Sequence, residues 1–131
     1  MRKENIMANE RTLEEIQKAI GAHGLWKLRL KTAINSGSSD FSPDVVACDN
    51  KCEFGKWLHD ETMPADIKSG MPYQVITRLH AEFHRTASTV LQDALDGNTA
   101  KSKETLEGEF SAQSTKLISA LNKWKGELRE I

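Results

Sequence analysis

No stretch of this sequence approaches the ~20 consecutive apolar residues of a membrane span, and the N-terminus lacks the apolar centre of a secretory signal. The cytoplasm is therefore the expected compartment. Neither sign of charge dominates. With 18 Lys and Arg against 19 Asp and Glu the net charge is −1, so there is no overall basic footprint for nucleic acid or anionic lipid. Cysteine is scarce: only Cys48 and Cys52 occur, four residues apart in a polar stretch. In a reducing compartment such thiols are more often free, reactive or metal-bound than disulfide-bonded. Hairpin signals, internal repeats and low-complexity tracts are also missing, which argues against an all-β or solenoid architecture.

The 131 residues, 38% hydrophobic and 28% charged, fit one globular domain with a real core. The first ten residues are polar and read as a flexible tail, leaving residues 11–131 as the domain. Thr12 with Glu15 three residues on predicts a capped helix start. Leu13, Ile16, Ala19, Ile20, Trp26, Leu30, Ala33 and Ile34 then mark one helical face, ending at the breaker cluster from Asn35 to Ser39. From Asp40 to about Pro72 the periodicity is lost. Short helical turns are expected there, one near Pro43 and one over roughly Phe54 to Asp60. A connection of this length without regular structure is uncommon unless it has a function. A long amphipathic helix follows from Tyr73 to Leu95, closed by Asp96-Gly97-Asn98. The last runs from Thr99 to Ile131 with Leu106, Phe110, Leu117, Leu121, Trp124 and Leu128 on one face, interrupted by Gln113. The expected fold is all-α, a four-helix-bundle-like domain with a short irregular helical segment between its first and third long helices.

Polar residues stand out on the apolar faces of this plan. His80 and His84 are four apart, so their imidazoles lie one above the other, about 5–6 Å apart at Cβ. They are in line with Tyr73, Ile76, Ala87, Val90 and Leu91. His23 falls within the apolar stripe of the first helix, and Cys52 precedes the aromatic anchors Phe54 and Trp57. A buried imidazole without a partner is costly, so these groups must satisfy one another or a ligand. Two readings fit: hydrogen-bonded core histidines beside a buried thiol, or a tetrahedral metal shell of three nitrogens and one sulfur, a donor set suited to zinc. His59, next to Asp60 and Glu61, is left outside that shell. Trp26, Phe54, Trp57, Phe83, Phe110 and Trp124 are read as core. A metal-dependent enzyme would need an open coordination position and a nearby base, but Glu82 faces away from the histidine pair and four protein donors leave no room for water.

Three motifs, His23-Gly24-Leu25-Trp26, Cys52-Glu53-Phe54-Gly55-Lys56-Trp57-Leu58 and His80-Ala81-Glu82-Phe83-His84, occur in the order found in the bacterial chemoreceptor zinc-binding domain family. The sequence resembles that family from about Leu13 to Leu95. The resemblance implies that His23, Cys52, His80 and His84 jointly bind one Zn2+ in a helical bundle that is often homodimeric. It further implies a sensory, non-enzymatic role in bacterial signalling of the chemotaxis or cyclic-di-GMP type, with a chemoreceptor or diguanylate cyclase pathway as partner. The input that the resemblance implies is zinc level, or oxidation of the zinc-bound cysteine by hypochlorous acid. The sequence departs from the family pattern in the extra thiol of Cys48 and in His59-Asp60-Glu61-Thr62 after the tryptophan motif. No signalling module accompanies the domain in these residues, so the chain is expected to be a free-standing member or an excised regulatory domain. A structural, zinc-stabilised dimerisation module is the other expectation, and Cys52, on the irregular segment, is the donor expected to move.

Overall fold

The computed structural model describes the backbone of residues 3–129 and the side chains of residues 10–128. Every regular element among them is helical: α1 (Lys3–Gly24), α2 (Trp26–Ser36), α3 (Pro43–Val46), α4 (Glu53–Leu58), α5 (Ala65–Lys68), α6 (Met71–Leu95), α7 (Thr99–Thr105), a single wide turn at Leu106–Phe110, and α8 (Ser111–Arg129). These elements form an all-α bundle. None of the described helices is long and apolar enough to cross a membrane.

The first long helix differs from its predicted form at two places. It does not start at Thr12: α1 runs back to Lys3, and Thr12 is a buried residue inside it. It also bends. Leu25 separates α1 from α2, with its N–H reaching back only to the Ala22 carbonyl, and the Leu25 carbonyl then starts the hydrogen bonds of α2. The bend lets α1 pack on α8 and α4 while α2 packs on α6 and α7. Gly37, in the left-handed conformation at φ 72°, closes α2 by donating its N–H to the Ala33 carbonyl at 2.8 Å.

The helix α6 is the axis of the bundle and contacts α8, α7, α2 and α3. Its inward face, from Ile76 through Phe83, Ala87, Val90 and Leu91, is buried as the periodicity predicts. On the other side of the core, Leu106, Phe110, Leu117, Leu121 and Trp124 form the facing stripe. The final helix is one rod with a π-type turn at Leu106–Phe110, where Ser111 Oγ donates to the Leu106 carbonyl at 2.7 Å. Ser102, fully buried, donates to the Val90 carbonyl at 2.8 Å and fastens α7 to α6.

The irregular stretch from 38 to 70 covers the remaining side. Pro43 starts α3 at its first turn, and short turns follow near the places expected from the sequence. The segment is attached to α6 by side chains that reach its backbone. Ser88 Oγ donates to the Pro43 carbonyl at 2.7 Å, His84 Nδ1 donates to the Val46 carbonyl at 2.9 Å, and the Tyr73 hydroxyl donates to the Leu58 carbonyl. It also contributes Val46, Phe54, Leu58 and Met63 to the buried interior.

Candidate metal centre

His23 lies one residue from the end of α1, and its Nδ1–H donates to the Ala19 carbonyl at 2.8 Å. That bond fixes the tautomer and leaves the Nε2 lone pair free to face inward. His84 is fixed in the same way by the Val46 carbonyl. Both rings therefore present Nε2 to the interior, each held from behind by a backbone acceptor, the arrangement that orients metal-binding imidazoles. His80, one turn earlier on α6, brings its Nε2 to 3.0 Å from that of His84.

Cys52 arrives from a different direction. It caps the N-terminus of α4, with backbone in the extended region and Sγ accepting the Gly55 N–H at 3.3 Å. The thiol then stands 3.3 Å from His80 Nε2 and 3.6 Å from His84 Nε2. The Cys-Glu-Phe-Gly-Lys-Trp motif has a local explanation. A Cβ on Gly55 would sit 1.8 Å from the Asp49 carbonyl oxygen, so only glycine lets the preceding turn fold against α4. Phe54 sets its ring edge-on to His23 and His80, with centroids 5.9 and 5.3 Å away, and Trp57 stacks on Phe54 and reaches Trp124 of α8. Phe83 and Trp26 complete the apolar wall around the imidazoles.

The donor atoms of His23, Cys52, His80 and His84 lie within 4.8 Å of one another, the one such four-residue group among the described residues. For bonds of about 2.0–2.1 Å to nitrogen and 2.3 Å to sulfur, a tetrahedral shell separates its donors by roughly 3.3–3.6 Å. The three separations of 3.0, 3.3 and 3.6 Å fall within half an ångström of that range. His23 Nε2 and His80 Nδ1 are buried without a hydrogen-bond partner in the protein. For His23 the unpartnered atom is the one that faces the other donors, as a metal ligand would. The residues present fit a metal ion.

Electrostatics favour neutral imidazoles here. Burial pushes the His23 pKa down to about 4, against the Ala19 carbonyl that supports its N–H and with the charge of His84 adding to the fall. Burial also lowers His80, to about 2, helped by the charges of His84, His23 and His59. His84 is lowered by burial, opposed by the Val46 hydrogen bond and by Asp49. Cys52 moves the other way: burial raises its pKa, more than the Gly55 and Phe54 amides lower it. Three donors are thus ready for a metal at neutral pH, and the thiol must give up a proton.

His59 stays outside the cluster. It is exposed and pairs with Asp49 at 3.2 Å. Gln113 does not reach the imidazoles; it bonds to Glu109 at 3.4 Å on the far side of α6. Glu82 lines a polar groove with Arg85, Thr86 and Glu109, away from the donors. Sequence reasoning missed the Val46 carbonyl that orients His84, because a backbone acceptor 38 residues away leaves no mark in side-chain identity.

Comparison with curated proteins and with solved structures gives no match. The family model for the chemoreceptor zinc-binding domain matches residues 23–91, over half of the chain, beginning at His23 and including all four donors. The chain therefore belongs to the chemoreceptor zinc-binding domain family.

Proposed function

We propose that this domain is a zinc-dependent sensory module of bacterial signalling. In this reading the Nε2 atoms of His23, His80 and His84 and the Sγ of Cys52 hold one Zn2+. The observation that carries it is the convergence of four donors from α1, the start of α4 and α6 in an otherwise apolar core, with two imidazoles backed by carbonyls. When bound, zinc ties these three parts of the chain together, so its binding free energy stabilises one arrangement of them. Four protein donors fill a tetrahedral shell, which supports sensing over catalysis. By the same family resemblance the working unit is a homodimer in the cytoplasm, acting on a chemoreceptor or diguanylate cyclase pathway.

Two inputs suit the site. Zinc level acts through occupancy. Oxidant acts on Cys52: its thiolate attacks the chlorine-bearing oxygen donor hypochlorous acid, the sulfur is oxidised by two electrons to the sulfenic acid, and chloride leaves. The sulfenic sulfur is a poorer donor, so oxidation loosens the link between the α4 end and the imidazoles.

A structural role for the metal is the second reading. Deep burial of Phe54 and Leu58, at 3% and 0% exposure, favours it, because the segment that carries Cys52 is also part of the core. Metal analysis of the purified protein, followed by chelator titration under circular dichroism, separates the two. One zinc per chain with a local change on removal is expected for sensing. Global unfolding on removal favours the structural reading, and protein purified with intact fold and no affinity for zinc overturns both.

A further inference from the structure

Cys48 takes no part in the four-donor cluster, yet it shares an open cleft of about 400 Å³ with Cys52. The cleft runs between the bend after α1 and the loop joining α3 to α4, with Trp26, Phe41 and Val45 on its apolar wall. Both thiols are free and half-buried. An extended chain would hold α-carbons four residues apart at roughly 13 Å, beyond the reach of a disulfide. Here the intervening residues turn back instead. The Asp49 carbonyl lies where a Gly55 side chain would be, so the stretch from Cys48 to Cys52 doubles over the first turn of α4. The Cys48 backbone is held by its N–H to the Val45 carbonyl at 3.1 Å, and its side chain makes a weak bond from Sγ to the Asp44 carbonyl at 3.4 Å.

We propose that Cys48 is the resolving thiol for Cys52, and that the oxidised state of this domain is a Cys48–Cys52 disulfide formed in that cleft. The inference rests on the reading of Cys52 as a metal-bound, oxidisable thiol. The reaction takes one two-electron oxidant of the hypochlorous acid or peroxide class, which converts Cys52 to a sulfenic acid. The Cys48 sulfur then attacks the Cys52 sulfur, an S–S bond forms as the S–O bond breaks, and the departing hydroxide takes up the Cys48 proton as water. The disulfide draws Cys52 Sγ out of the donor cluster and leaves three imidazoles behind. Unlike over-oxidation to a sulfinic acid, it is reversed by thiol reductants, so the site can be reset.

The test treats the purified protein, with its zinc content measured, with stoichiometric hypochlorous acid. The reaction is quenched with a cyclic 1,3-dione that captures sulfenic acids, and peptides are mapped without reduction. Wild type is expected to yield an intramolecular Cys48–Cys52 crosslink and little adduct. Cys48→Ser and Cys48→Ala, checked for fold by circular dichroism, are expected to carry about tenfold more dione adduct on Cys52. Zinc-loaded wild type with as much Cys52 adduct as the variants and no crosslink overturns the proposal alone, as does a crosslink found only between chains. Protein that binds no zinc and leaves Cys52 unmodified in all three forms overturns the metal-thiol reading beneath it and the proposal together.

Discussion

The two sides of the candidate metal centre are built differently. His80 and His84 belong to a 25-residue helix, and His23 to the last turn of another; all three rings are buried among apolar side chains. Cys52 caps a six-residue helix in a stretch fastened to α6 by side-chain to backbone hydrogen bonds. The imidazoles are part of the core itself, whereas the half-buried thiol packs at its edge and caps α4. The segment behind it is nevertheless not loose. Swinging α4 away would expose Phe54 and Leu58, at about 1.5–3 kcal/mol each, so the cheaper movement is of the Cys52 side chain and the turn before it.

The contrast is tested hardest by removing one donor from each side. A zinc site of this kind is worth about 10–16 kcal/mol, or roughly 3 kcal/mol for each of four donors, so losing one should weaken binding about a hundredfold. Both His80→Leu and Cys52→Ser are expected to do this in competition with a chromophoric chelator. They should differ in the metal-free state. His80 carries a buried nitrogen without a partner. Replacing it with an aliphatic side chain removes that orphan, offset in part by the lost contact of its Nε2 with His84, so the metal-free protein is expected to be more stable by about 1 kcal/mol in urea unfolding. Serine at 52 can still cap α4 by accepting the Gly55 N–H, so Cys52→Ser is expected to leave metal-free stability unchanged. Equal stability changes in the two variants would break the contrast.

Titration sharpens it further. The folded pKa of His23 is about 4, against 6.5 for an unperturbed histidine. Between these values the unfolded chain binds more protons than the folded one, so stability rises with pH. The contribution is fully present above pH 6.5 and is lost as pH falls toward 4, roughly 3 kcal/mol for this residue alone. The metal-free protein should therefore lose urea resistance across that window, and His23→Leu should flatten the loss. Because the histidines are already neutral near pH 7 and the Cys52 thiol is not ionised, zinc uptake should release about one proton, absent in Cys52→Ser. Calorimetry in buffers of different ionisation enthalpy measures it.

Much of this was legible in the sequence because helical periodicity places residues on faces. His80 and His84 share a face by their spacing alone, and His23 interrupts a stripe that should be apolar. The turns around Pro43 and Phe54 were announced by proline, glycine and the loss of period. The bend at Leu25 was not, since Leu, Trp and Lys all suit a helix interior and Gly24 is tolerated in one; tertiary packing of α2 on α6 decides it. The apparent cap at Thr12 failed for a related reason. A capping box also reads as ordinary helix when the preceding residues carry no breaker, and α1 continues through it. The π-type turn at Leu106–Phe110 likewise had only Gly108 to mark it.

The smallest expected effect separates the segment from the helix it leans on. Ser88 Oγ donates to the Pro43 carbonyl at 2.7 Å, and Pro43 begins the short helix whose Val46 carbonyl orients His84. Ser88→Ala removes the first bond and no metal donor. The cost is that of one half-buried hydrogen bond, about 1 kcal/mol. If the segment is an independently opening unit, that loss falls on its local opening: hydrogen exchange at residues 45–48 should speed up about fivefold, while amides of α6 from Phe83 to Leu91 stay as protected as before. Zinc should restore the slow exchange in the variant, because a metal on His84 Nε2 strengthens the Nδ1–H bond to Val46 from the other side of the ring. If instead the α6 amides accelerate together with those of α3, the two sides open as one unit. The thiol then has no freedom that the histidines lack.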